Sequence, residues 1–353
     1  MSYNMQKITI IGWTDGFWKW LASFILKNFK DKINLVIIWR NKQKAEKVAS
    51  DLWCKFSLNI KEEIVDSDIT IFSVPIAYTV KTIKTYAPYL KAWSMVLDVT
   101  SIKKEPSLAL QKYSPDWVFV LPTHPMFWPF VSSIAGQIFV LCPLKEDDKK
   151  DPRYIFLKNF LLEKKAKVIE EDPEIHDKMM AVVQGLTHIN MFVLAETMKK
   201  LNFPLKKSFN FVSPIYKIMI SSVWRYVGQN PKLYADIQMN NSEILEVHKK
   251  FMESISDFNK YVVEKDEDSF IKNIEKSKEF FGEQTEKWQI YTDKIIYLLW
   301  KQIEKAWNLV WKEIFLENIY SKEKKSWILE KFEGRKLFLD SWEILDLDKY
   351  YII

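Results

Sequence analysis

The chain has 353 residues, and its 52 Lys and Arg against 46 Asp and Glu give a net charge of +6. This length allows two domains with full cores, and the charges are interspersed, with no arm or stripe of one sign that would favour nucleic-acid binding. Two isolated cysteines lack metal or redox spacing, and no N-terminal signal or 18-residue apolar run is present. We therefore expect a soluble, cytoplasmic protein that binds no nucleic acid, membrane or metal.

The N-terminal stretch "ITIIGWTDGFWKW" (8–20) is typical of the opening of a dinucleotide-binding βαβ unit. A buried strand leads into a turn with Gly12 and Gly16, and a helix follows whose apolar positions begin at Phe17. Small residues in such a turn let backbone N–H groups and a helix N-terminus approach a pyrophosphate. Two positions that need no side chain nevertheless carry tryptophan, Trp13 and Trp18.

The whole chain is poor in glycine and rich in tryptophan. It has 7 Gly and 15 Trp, which is about 2% Gly against an average near 7%. Several tryptophans stand where positive φ or close packing favours glycine, namely Trp13, Trp18, Trp39, Trp53, Trp93 and Trp342. Our hypothesis is that most of them are UGA codons from a lineage that reads UGA as glycine; with 13 of the 15 restored, the glycine count would be 20. The alternative is a genuinely Trp-rich protein with a damaged site.

Up to residue 171, short β-branched runs alternate with helical stretches. This alternation predicts an α/β fold, a Rossmann-type, doubly wound and mainly parallel sheet with helices on both faces. The predicted strands are 8–11, 34–38, 69–74, 94–99, 117–122, 137–142 and 166–171, and the predicted helices include 42–52, 78–90 and 152–164.

From residue 172 the sequence reads as successive long helices. Asp172 is predicted to be an N-cap with Pro173 at the first helical position. Several of the helices are too apolar to be solvated on more than one side, so we expect a homodimer. The predicted domains are a dinucleotide-binding domain (1–171), an all-α substrate and dimerisation domain (172–305) and a small β-hairpin extension of unknown role (306–353).

The end of the second predicted strand lacks the acidic residue of NAD-preferring folds. Asp or Glu is expected about 20 residues past the glycines, but the sequence there is Trp39-Arg40-Asn41-Lys42. A guanidinium suits a 2′-phosphate, so we predict NADP as the cofactor, with NAD possible and Arg40 as the reader. An ordinary exposed arginine is the alternative interpretation.

Of the four histidines, two stand at suggestive places. His124 follows the C-terminal end of a strand, the edge at which doubly wound sheets hold ligands. His188 lies in a strongly apolar helix, where a hydrogen-bonded core histidine is the alternative. His176 is expected to be a first-turn or capping residue, and His248 to lie on a solvated helix face.

Two further polar residues are candidates for the site. Arg225 emerges from an apolar helix, where an unpaired guanidinium would be costly and an anionic partner is implied, either a carboxylate of the protein or one of a substrate. Ser101 follows the fourth strand, again on the ligand edge.

Six stretches together resemble, in order and spacing, the prephenate dehydrogenases of archaea and bacteria over about residues 7–305. They are "IIGWTDGFWKW", "SVPI", "DVTSIK", "THPMFWP", "VVQGLTH" and "WRYVGQNPKLYADIQ". Relatives carry glycine where this chain has Trp13, Trp18, Trp128 and Trp224, whereas Trp20 matches a genuine tryptophan. The stretch beyond 305 is outside the resemblance and is too short for a typical regulatory ACT domain.

The resemblance implies a hydride transfer from prephenate to the nicotinamide, with loss of the ring carboxylate as CO2. His124 matches the histidine that accepts the proton of the ring hydroxyl, and Ser101 the serine that orients it. Arg225 matches the arginine that binds a substrate carboxylate, and His188 a second histidine that lines the pocket. The implied cofactor-binding residues are Gly12, Trp13, Thr14, Asp15, Gly16, Phe17, Trp18, Arg40, Ser73 and Val74.

One departure leaves the substrate open between prephenate and arogenate, because some relatives have Ser-His where this chain has Gln184-Gly185. Two other functions also remain open. Another NADP-dependent oxidoreductase, such as a β-hydroxyacid dehydrogenase, would be expected to place a catalytic lysine in the helical domain. A non-catalytic, nucleotide-sensing dimer becomes the better interpretation if Trp13 and Trp18 are real.

Overall fold

The computed structural model describes residues 5–12, 17–127, 129, 131–319 and 321–353. The chain divides into two compact units, one of residues 1–203 with 222–253 and one of residues 204–221 with 254–353. The domain boundaries at 171 and 305 stay predictions.

The first unit contains an eight-stranded sheet in the order β3-β2-β1-β4-β5-β6-β7-β8. All neighbouring strands are parallel except β6 and β7, which pair antiparallel. The predicted doubly wound α/β class is thereby confirmed. The strands are β1 (Gln6–Gly12), β2 (Ile33–Ile38), β3 (Lys55–Ser57), β4 (Ile69–Ser73), β5 (Met95–Asp98), β6 (Phe119–Pro125), β7 (Ile138–Leu141) and β8 (Lys167–Glu170).

Strand β3 and the short helix after it are not among the predicted elements. A strand of three residues that begins with an exposed lysine has no measurable alternation, so its pairing with β2 is tertiary in origin. The central strands are buried on both faces, which explains their continuous runs of Ile and Val.

Helices cover both faces of this sheet, and after β8 the described chain is helical up to the end of α14. They are α1 (Phe17–Phe29), α2 (Lys42–Leu52), α3 (Ile60–Ile64), α4 (Ile76–Tyr86), α5 (Lys104–Tyr113), α6 (Pro152–Glu163), α7 (Pro173–Met180), α8 (Thr187–Lys200), α9 (Leu205–Ser208), α10 (Pro214–Val227), α11 (Pro231–Asn240), α12 (Ile244–Glu264), α13 (Glu267–Phe281) and α14 (Gln284–Asn308). The Asp172 side chain accepts hydrogen bonds from the N–H groups of Glu174 and Ile175, which confirms the predicted N-cap.

Between α7 and α8 the helix widens into a π-helical stretch, Ala181–Leu186. The continuous helical run Pro173–Lys200 is long and apolar enough, by length and composition alone, to cross a membrane, although the sequence was expected to contain no such stretch. Only 22% of its apolar window is buried in the single protomer. Apolar side chains exposed along it are Ile175, Met179, Val182, Val183 and Val193.

The C-terminal extension is larger than the predicted hairpin. It forms a five-stranded antiparallel sheet in the order β12-β11-β10-β9-β13 around its own apolar core. Its strands are β9 (Glu313–Asn318), β10 (Lys324–Glu333), β11 (Lys336–Leu339), β12 (Ile344–Asp346) and β13 (Tyr350–Ile352). The two shortest strands, β12 and β13, have three residues each and carry too little periodicity to be seen in sequence.

Four exposed tryptophans have left-handed backbone conformations. Positive φ occurs at Trp53 (56°), Trp93 (63°), Trp311 (66°) and Trp342 (65°). At Trp53 the conformation closes α2, since its N–H donates to the Ser50 carbonyl (3.3 Å). The glycine-like conformation predicted at Trp53, Trp93 and Trp342 is confirmed. At Trp39 it is wrong, because that residue has no positive φ and its side chain is buried.

Candidate active site

The carboxyl ends of β1 and β4 form the topological switch point of the sheet. The chain leaves β1 towards β2 on one side and returns to β4 on the other, so a crevice opens between them. Gly12, the last residue of β1, pairs in register with Ser73, the last residue of β4, and the buried Val74 follows. The predicted loop residues Trp13, Thr14, Asp15 and Gly16 lie outside the described residues, as does Trp128.

Helix α1 begins at Phe17, directly after that loop, so its N-terminus lies next to the switch point. The ring of Phe17 packs against Trp20 and Phe127, with centroid distances of 5.4 and 5.9 Å. Phe17 therefore anchors the start of the helix, and its ring belongs to the aromatic core on that face.

The indole of Trp18 is buried between helix α1 and the sheet. It is 2% exposed, lies edge-on to Trp39 at 5.0 Å between centroids, and its Nε1 has no hydrogen-bond partner among the described residues. A Cβ added at Gly12 would lie 2.9 Å from the Cγ of Trp18, so any side chain there would collide with the indole. Trp20 differs, because its Nε1 donates to the Val131 carbonyl at 3.0 Å.

Arg40 is exposed two residues past the end of β2, beside the carboxyl end of β1. Asn41 caps helix α2 by accepting a hydrogen bond from the N–H of Lys44 (3.0 Å), and the Lys44 ammonium lies 5.4 Å from the centre of the Trp39 ring. Two cationic side chains thus lie at the edge where a doubly wound fold binds the adenosine ribose.

His124 lies within strand β6, in a part of that strand that extends beyond the end of β5. The partner of Asp98, the last residue of β5, is Pro122, whereas His124 pairs with Val140 of β7. The sequence placed His124 after a strand; the antiparallel pairing with β7 prolongs that strand, so that it includes His124. Its side chain is 3% exposed.

The partner of the His124 side chain is His176, at the start of α7. The Nδ1 of His124 and the Nε2 of His176 are 2.9 Å apart, and the Nδ1 of His176 is 2.8 Å from Oδ1 of Asp177. All three side chains are buried. The prediction of His176 as a first-turn residue is confirmed, since it is the fourth residue of α7, but the sequence did not indicate that its buried ring contacts His124.

Asp177 is held by the backbone that follows strand β5. Its Oδ1 accepts the N–H of Lys103 (2.7 Å) and its Oδ2 accepts the N–H of Lys104 (2.9 Å). The same loop contains a fully buried ion pair between Lys103 and Asp98, and the Lys103 ammonium also donates to the Thr123 carbonyl at 2.7 Å. Charge-assisted bonds of this kind connect the loop to the residue just before His124.

Ser101 lies half-buried within this loop and makes no side-chain hydrogen bond to His124 in the described part of the chain. Sequence reasoning missed Asp98, Lys103, His176 and Asp177. The "HD" pair after an N-cap was visible, but nothing local shows that it meets a strand 52 residues earlier.

The electrostatic surroundings keep the His124 ring neutral. Burial, the neighbouring His176 and the Lys103 ammonium together hold the pKa of His124 well below its ordinary value of 6.5. A neutral imidazole can accept a proton only through a nitrogen that carries a lone pair, so the tautomer of this ring decides its chemistry.

His188 lies in a second, aromatic cluster on helices α8, α10 and α11. Its ring centroid is 5.1 Å from that of Tyr226 and 4.9 Å from that of Tyr234, and burial lowers the pKa of His188 to about 4. The Nδ1 atom is buried without a hydrogen-bond partner among the described residues. A hydrogen-bonded core histidine, the alternative interpretation, would need a partner for this nitrogen, and no described residue provides one.

One turn before His188, the side-chain Oε1 of Gln184 is likewise buried without a partner in the described residues. Gly185 beside it packs so closely that a Cβ there would lie 2.8 Å from Ile244, and its carbonyl accepts a hydrogen bond from Gln238 (2.9 Å). The π-helical stretch and the first turn of α8 thus each hold one buried polar atom that no described residue satisfies.

Arg225 lies beside this cluster, near the C-terminal end of α10. It is exposed in the protomer, so the expected desolvation cost of its guanidinium does not arise there. Its charge reaches Tyr234, where it opposes the burial that raises the pKa of that phenol to about 12. His248 was expected on a solvated helix face; it is half-buried, with its Nε2 3.0 Å from Oε1 of Gln238, so that face is only partly solvated.

The switch point, the helix N-terminus beside it and the buried histidine at the same sheet edge define a nicotinamide-dinucleotide-dependent dehydrogenase. The described residues fit such a cofactor, since α1 begins at Phe17, directly after the loop that follows β1, where the N–H groups of its first turn can approach a pyrophosphate. In the described residues, no group of three His, Cys, Asp or Glu side chains could hold a metal ion.

The chain belongs to the prephenate dehydrogenase family. The family model described as "Prephenate dehydrogenase, nucleotide-binding domain" matches residues 25–170, and "Prephenate dehydrogenase, dimerization domain" matches residues 172–276. A probable arogenate/prephenate dehydrogenase of Methanocaldococcus jannaschii is 38% identical over 333 residues, which are 94% of this chain and 74% of that protein. A match of this length extends past residue 305, into the C-terminal sheet.

Other relatives are more distant. The T-protein of Haemophilus influenzae is 30% identical over 223 residues, 63% of this chain and 58% of that protein. A prephenate dehydrogenase structure from A. aeolicus, in complex with hydroxyphenyl propionate and NAD+, has a TM-score of 0.62 at 20% identity and covers 79% of this chain and 98% of its own. Synechocystis arogenate dehydrogenase has a TM-score of 0.57 at 17% identity, with 77% and 97% covered. These two structures show the shared fold.

Proposed function

We propose that this chain catalyses the NAD(P)-dependent oxidative decarboxylation of prephenate to 4-hydroxyphenylpyruvate, with arogenate as the alternative substrate. The observation that carries the proposal is a buried, neutral histidine, His124, at the ligand edge of a dinucleotide-type sheet in a member of this family. The cofactor would be held by Gly12, Ser73, Val74 and the N-terminus of α1, and when bound it supplies the hydride acceptor.

In the reaction that we propose, the C–H bond at the hydroxyl-bearing ring carbon breaks with its electron pair, which leaves as hydride, and a carbonyl forms. His124 takes the hydroxyl proton as this happens. The bond to the ring carboxylate then breaks, CO2 departs, and its electron pair makes the ring aromatic while the proton returns to the phenolate oxygen. Because aromatisation drives the reaction, the protein mainly orients the substrate and accepts one proton.

The remaining residues would bind and orient the substrate. We assign Arg225 to a substrate carboxylate, which suits a cationic fork that is solvent-accessible before binding. His188 would line the side-chain end of the pocket, where its Nδ1, which no described residue satisfies, could bind a polar substrate group. Ser101, at the ligand edge in the loop after β5, would orient the hydroxyl and the nicotinamide.

An assay of the purified chain with prephenate and with arogenate, each with NADP and with NAD, tests the proposed function. We expect reduced cofactor and CO2 to form in equal amounts with at least one of the two substrates. Turnover of a β-hydroxyacid instead would assign the chain to another oxidoreductase class. Absence of turnover in a chain that still binds nucleotide would favour a nucleotide-sensing dimer.

We infer that NADP is the preferred cofactor, because cationic side chains occupy the edge where NAD-preferring folds carry an acid. Arg40→Ala should lower kcat/KM with NADP more than with NAD, since a charge-assisted contact to the 2′-phosphate is lost. The matched control is Lys42→Ala, because Lys42 forms an i,i+4 ion pair with Glu46 at the start of α2. A clear preference of the unmodified enzyme for NAD would refute this inference.

We also propose a homodimer. Its support is the apolar surface along Pro173–Lys200, within the stretch matched by the dimerization-domain model. Aliphatic side chains such as Met179 (58% exposed) and Val183 (51% exposed) gain stability only when a partner covers them. Sedimentation at twice the 42.1 kDa chain mass is expected, and a monomer at micromolar concentration would contradict it.

We propose, finally, that most of the tryptophans are glycines in the native protein, encoded by UGA. Four that are between 73% and 95% exposed stand at positive φ. The left-handed conformation costs an L-residue roughly 1–2 kcal/mol, and an exposed indole has no burial to offset that cost. The gene decides the question: UGA is expected at these codons beside UGG at Trp20, and UGG throughout would refute the proposal.

A further inference from the structure

Two buried hydrogen bonds, from His124 to His176 and from His176 to Asp177, determine where the protons on these rings lie. The carboxylate of Asp177 only accepts hydrogen bonds, and two backbone N–H groups hold it in place. Its Oδ1 is 2.8 Å from Nδ1 of His176, so that nitrogen carries the proton. In the neutral ring, Nε2 of His176 then has a lone pair.

That lone pair faces His124. Nδ1 of His124 is 2.9 Å from Nε2 of His176, and two lone pairs at this distance would repel each other, so Nδ1 of His124 carries the proton. Neutral His124 must then have its lone pair on Nε2, the nitrogen that is left for a ligand. The hydrogen bond of one ring nitrogen thus sets the role of the other.

We propose that His176, supported by Asp177, is a positioning residue that holds His124 in the Nδ1–H tautomer and so makes its Nε2 the proton acceptor. This inference rests on the proposed role of His124 as the base. In the opposite tautomer Nε2–H would be a donor, and the substrate hydroxyl would meet a proton where it needs a lone pair.

The charged groups near His124, His176 and Asp177 are consistent with this assignment of protons. The Lys103 ammonium is neutralised by Asp98, with both side chains fully buried, and it also donates to the Thr123 carbonyl. Among the described residues, the Asp177 carboxylate accepts hydrogen bonds from His176 and from the backbone N–H groups of Lys103 and Lys104. Asn241 donates to the backbone carbonyl of Asp177 at 2.8 Å, which fixes this turn of α7 without using the carboxylate.

The first test measures the tautomers directly, and it needs no substrate. The chain has only four histidines, so 15N-histidine labelling of the full-length protein gives four imidazole rings, which His124→Asn and His176→Gln assign. We expect the Nδ1–H tautomer at His124 in the unmodified protein and a shift towards Nε2–H in His176→Leu. The Nε2–H tautomer at His124 in the unmodified protein would overturn the inference.

The second test separates positioning from folding by two variants at the same site. His176→Leu keeps an apolar volume and removes the acceptor, whereas His176→Gln presents an amide oxygen where Nε2 lies. Loss of a partner that orients a metal-ligating histidine costs about 10- to 100-fold, and we expect the same range in kcat for His176→Leu. KM and cofactor affinity should stay within about twofold, and His176→Gln should recover most of the loss.

His248→Gln is the matched control, because Nε2 of His248 also makes a side-chain hydrogen bond, here as the donor to Oε1 of Gln238, in the helical part of the first unit. It should leave kcat unchanged. Unchanged kcat in His176→Leu, or equal losses in the Leu and Gln variants, would overturn the inference. If the Leu variant does not fold, the tautomer measurement and the Gln variant decide.

The kinetic assays use the protein that turns over substrate, either the one with Trp at positions 13 and 18 or the one with Gly at both. If neither does, the proposed function fails, while the tautomer remains measurable.

Discussion

His124→Asn should lower kcat by about 10²- to 10⁴-fold, the range that general base catalysis contributes. An asparagine amide can still donate to Nε2 of His176, which lies 2.9 Å from Nδ1 in the native ring, so the buried hydrogen bond survives. The substitution therefore removes the lone pair on Nε2 and little else. Steady-state kinetics with saturating cofactor measure the effect.

The affinity for the cofactor is the internal control of this experiment. His124 lies at the end of β6, three strands from β1, so the dissociation constant for NADP should be unchanged. A native-like unfolding transition would show that the strand still pairs with β7. An unaffected turnover number would remove His124 from the role of base.

Replacing both Trp13 and Trp18 by glycine should turn weak or absent NADP binding into binding that is usual for dehydrogenases. The turn of a dinucleotide-binding unit needs close approach of the backbone to the pyrophosphate, and the helix must pack closely on the first strand. At position 18 the indole fills the space between α1 and Gly12, and its buried Nε1 has no partner among the described residues. Calorimetric titration of both proteins with NADP measures the difference.

Stability distinguishes the two interpretations of Trp18 independently. If the indole belongs to the native core, its removal should cost roughly 3–5 kcal/mol, as for other large-to-small substitutions. If glycine is native, α1 settles onto β1 and no such loss is expected. Trp20→Gly is the control that should destabilise in either case, because that indole donates to the Val131 carbonyl and stacks on Phe24 at 5.1 Å.

A second control addresses the exposed positions. Trp53→Gly with Trp93→Gly relieves two exposed left-handed residues that are not part of the loop, so it should stabilise the fold and leave NADP affinity unchanged. Equal, tight binding of NADP by the original protein and by the Trp13→Gly, Trp18→Gly double variant would show that the loop tolerates tryptophan, and our interpretation of it would be wrong.

Much of the first unit could be predicted because its signals are local. Strands such as β1 and β4 are buried on both faces and therefore appear as unbroken apolar runs. The cap at Asp172 and the left-handed residue at Trp53 depend on neighbours within four positions, so their residue types announce them. The place of His124 at the ligand edge follows from the strand order that such runs imply.

The hydrogen bonds from His124 to His176 and from His176 to Asp177 could not be predicted in the same way. His176 is 52 positions from His124, and a first-turn histidine on an exposed helix would have the same sequence context. The exposure of Arg225 is a second case. Helix α10 is apolar on most of its surface, so its sequence pattern does not indicate which side faces solvent and which side packs against another element. The size of the C-terminal sheet is a third, since its shortest strands are too brief for periodicity.

The sequence by itself determined the doubly wound sheet, the change to helices at residue 172 and the turns that favour glycine, because each depends on periodicity or on backbone conformation over a few residues. Only the tertiary structure decided which atoms face His124. The bond that sets its tautomer joins a strand to a helix, and the carboxylate behind it is held by backbone N–H groups of a third segment. Hydrogen-bond partners within about 3 Å are chosen by the packing of whole elements, and sequence spacing carries no record of that distance.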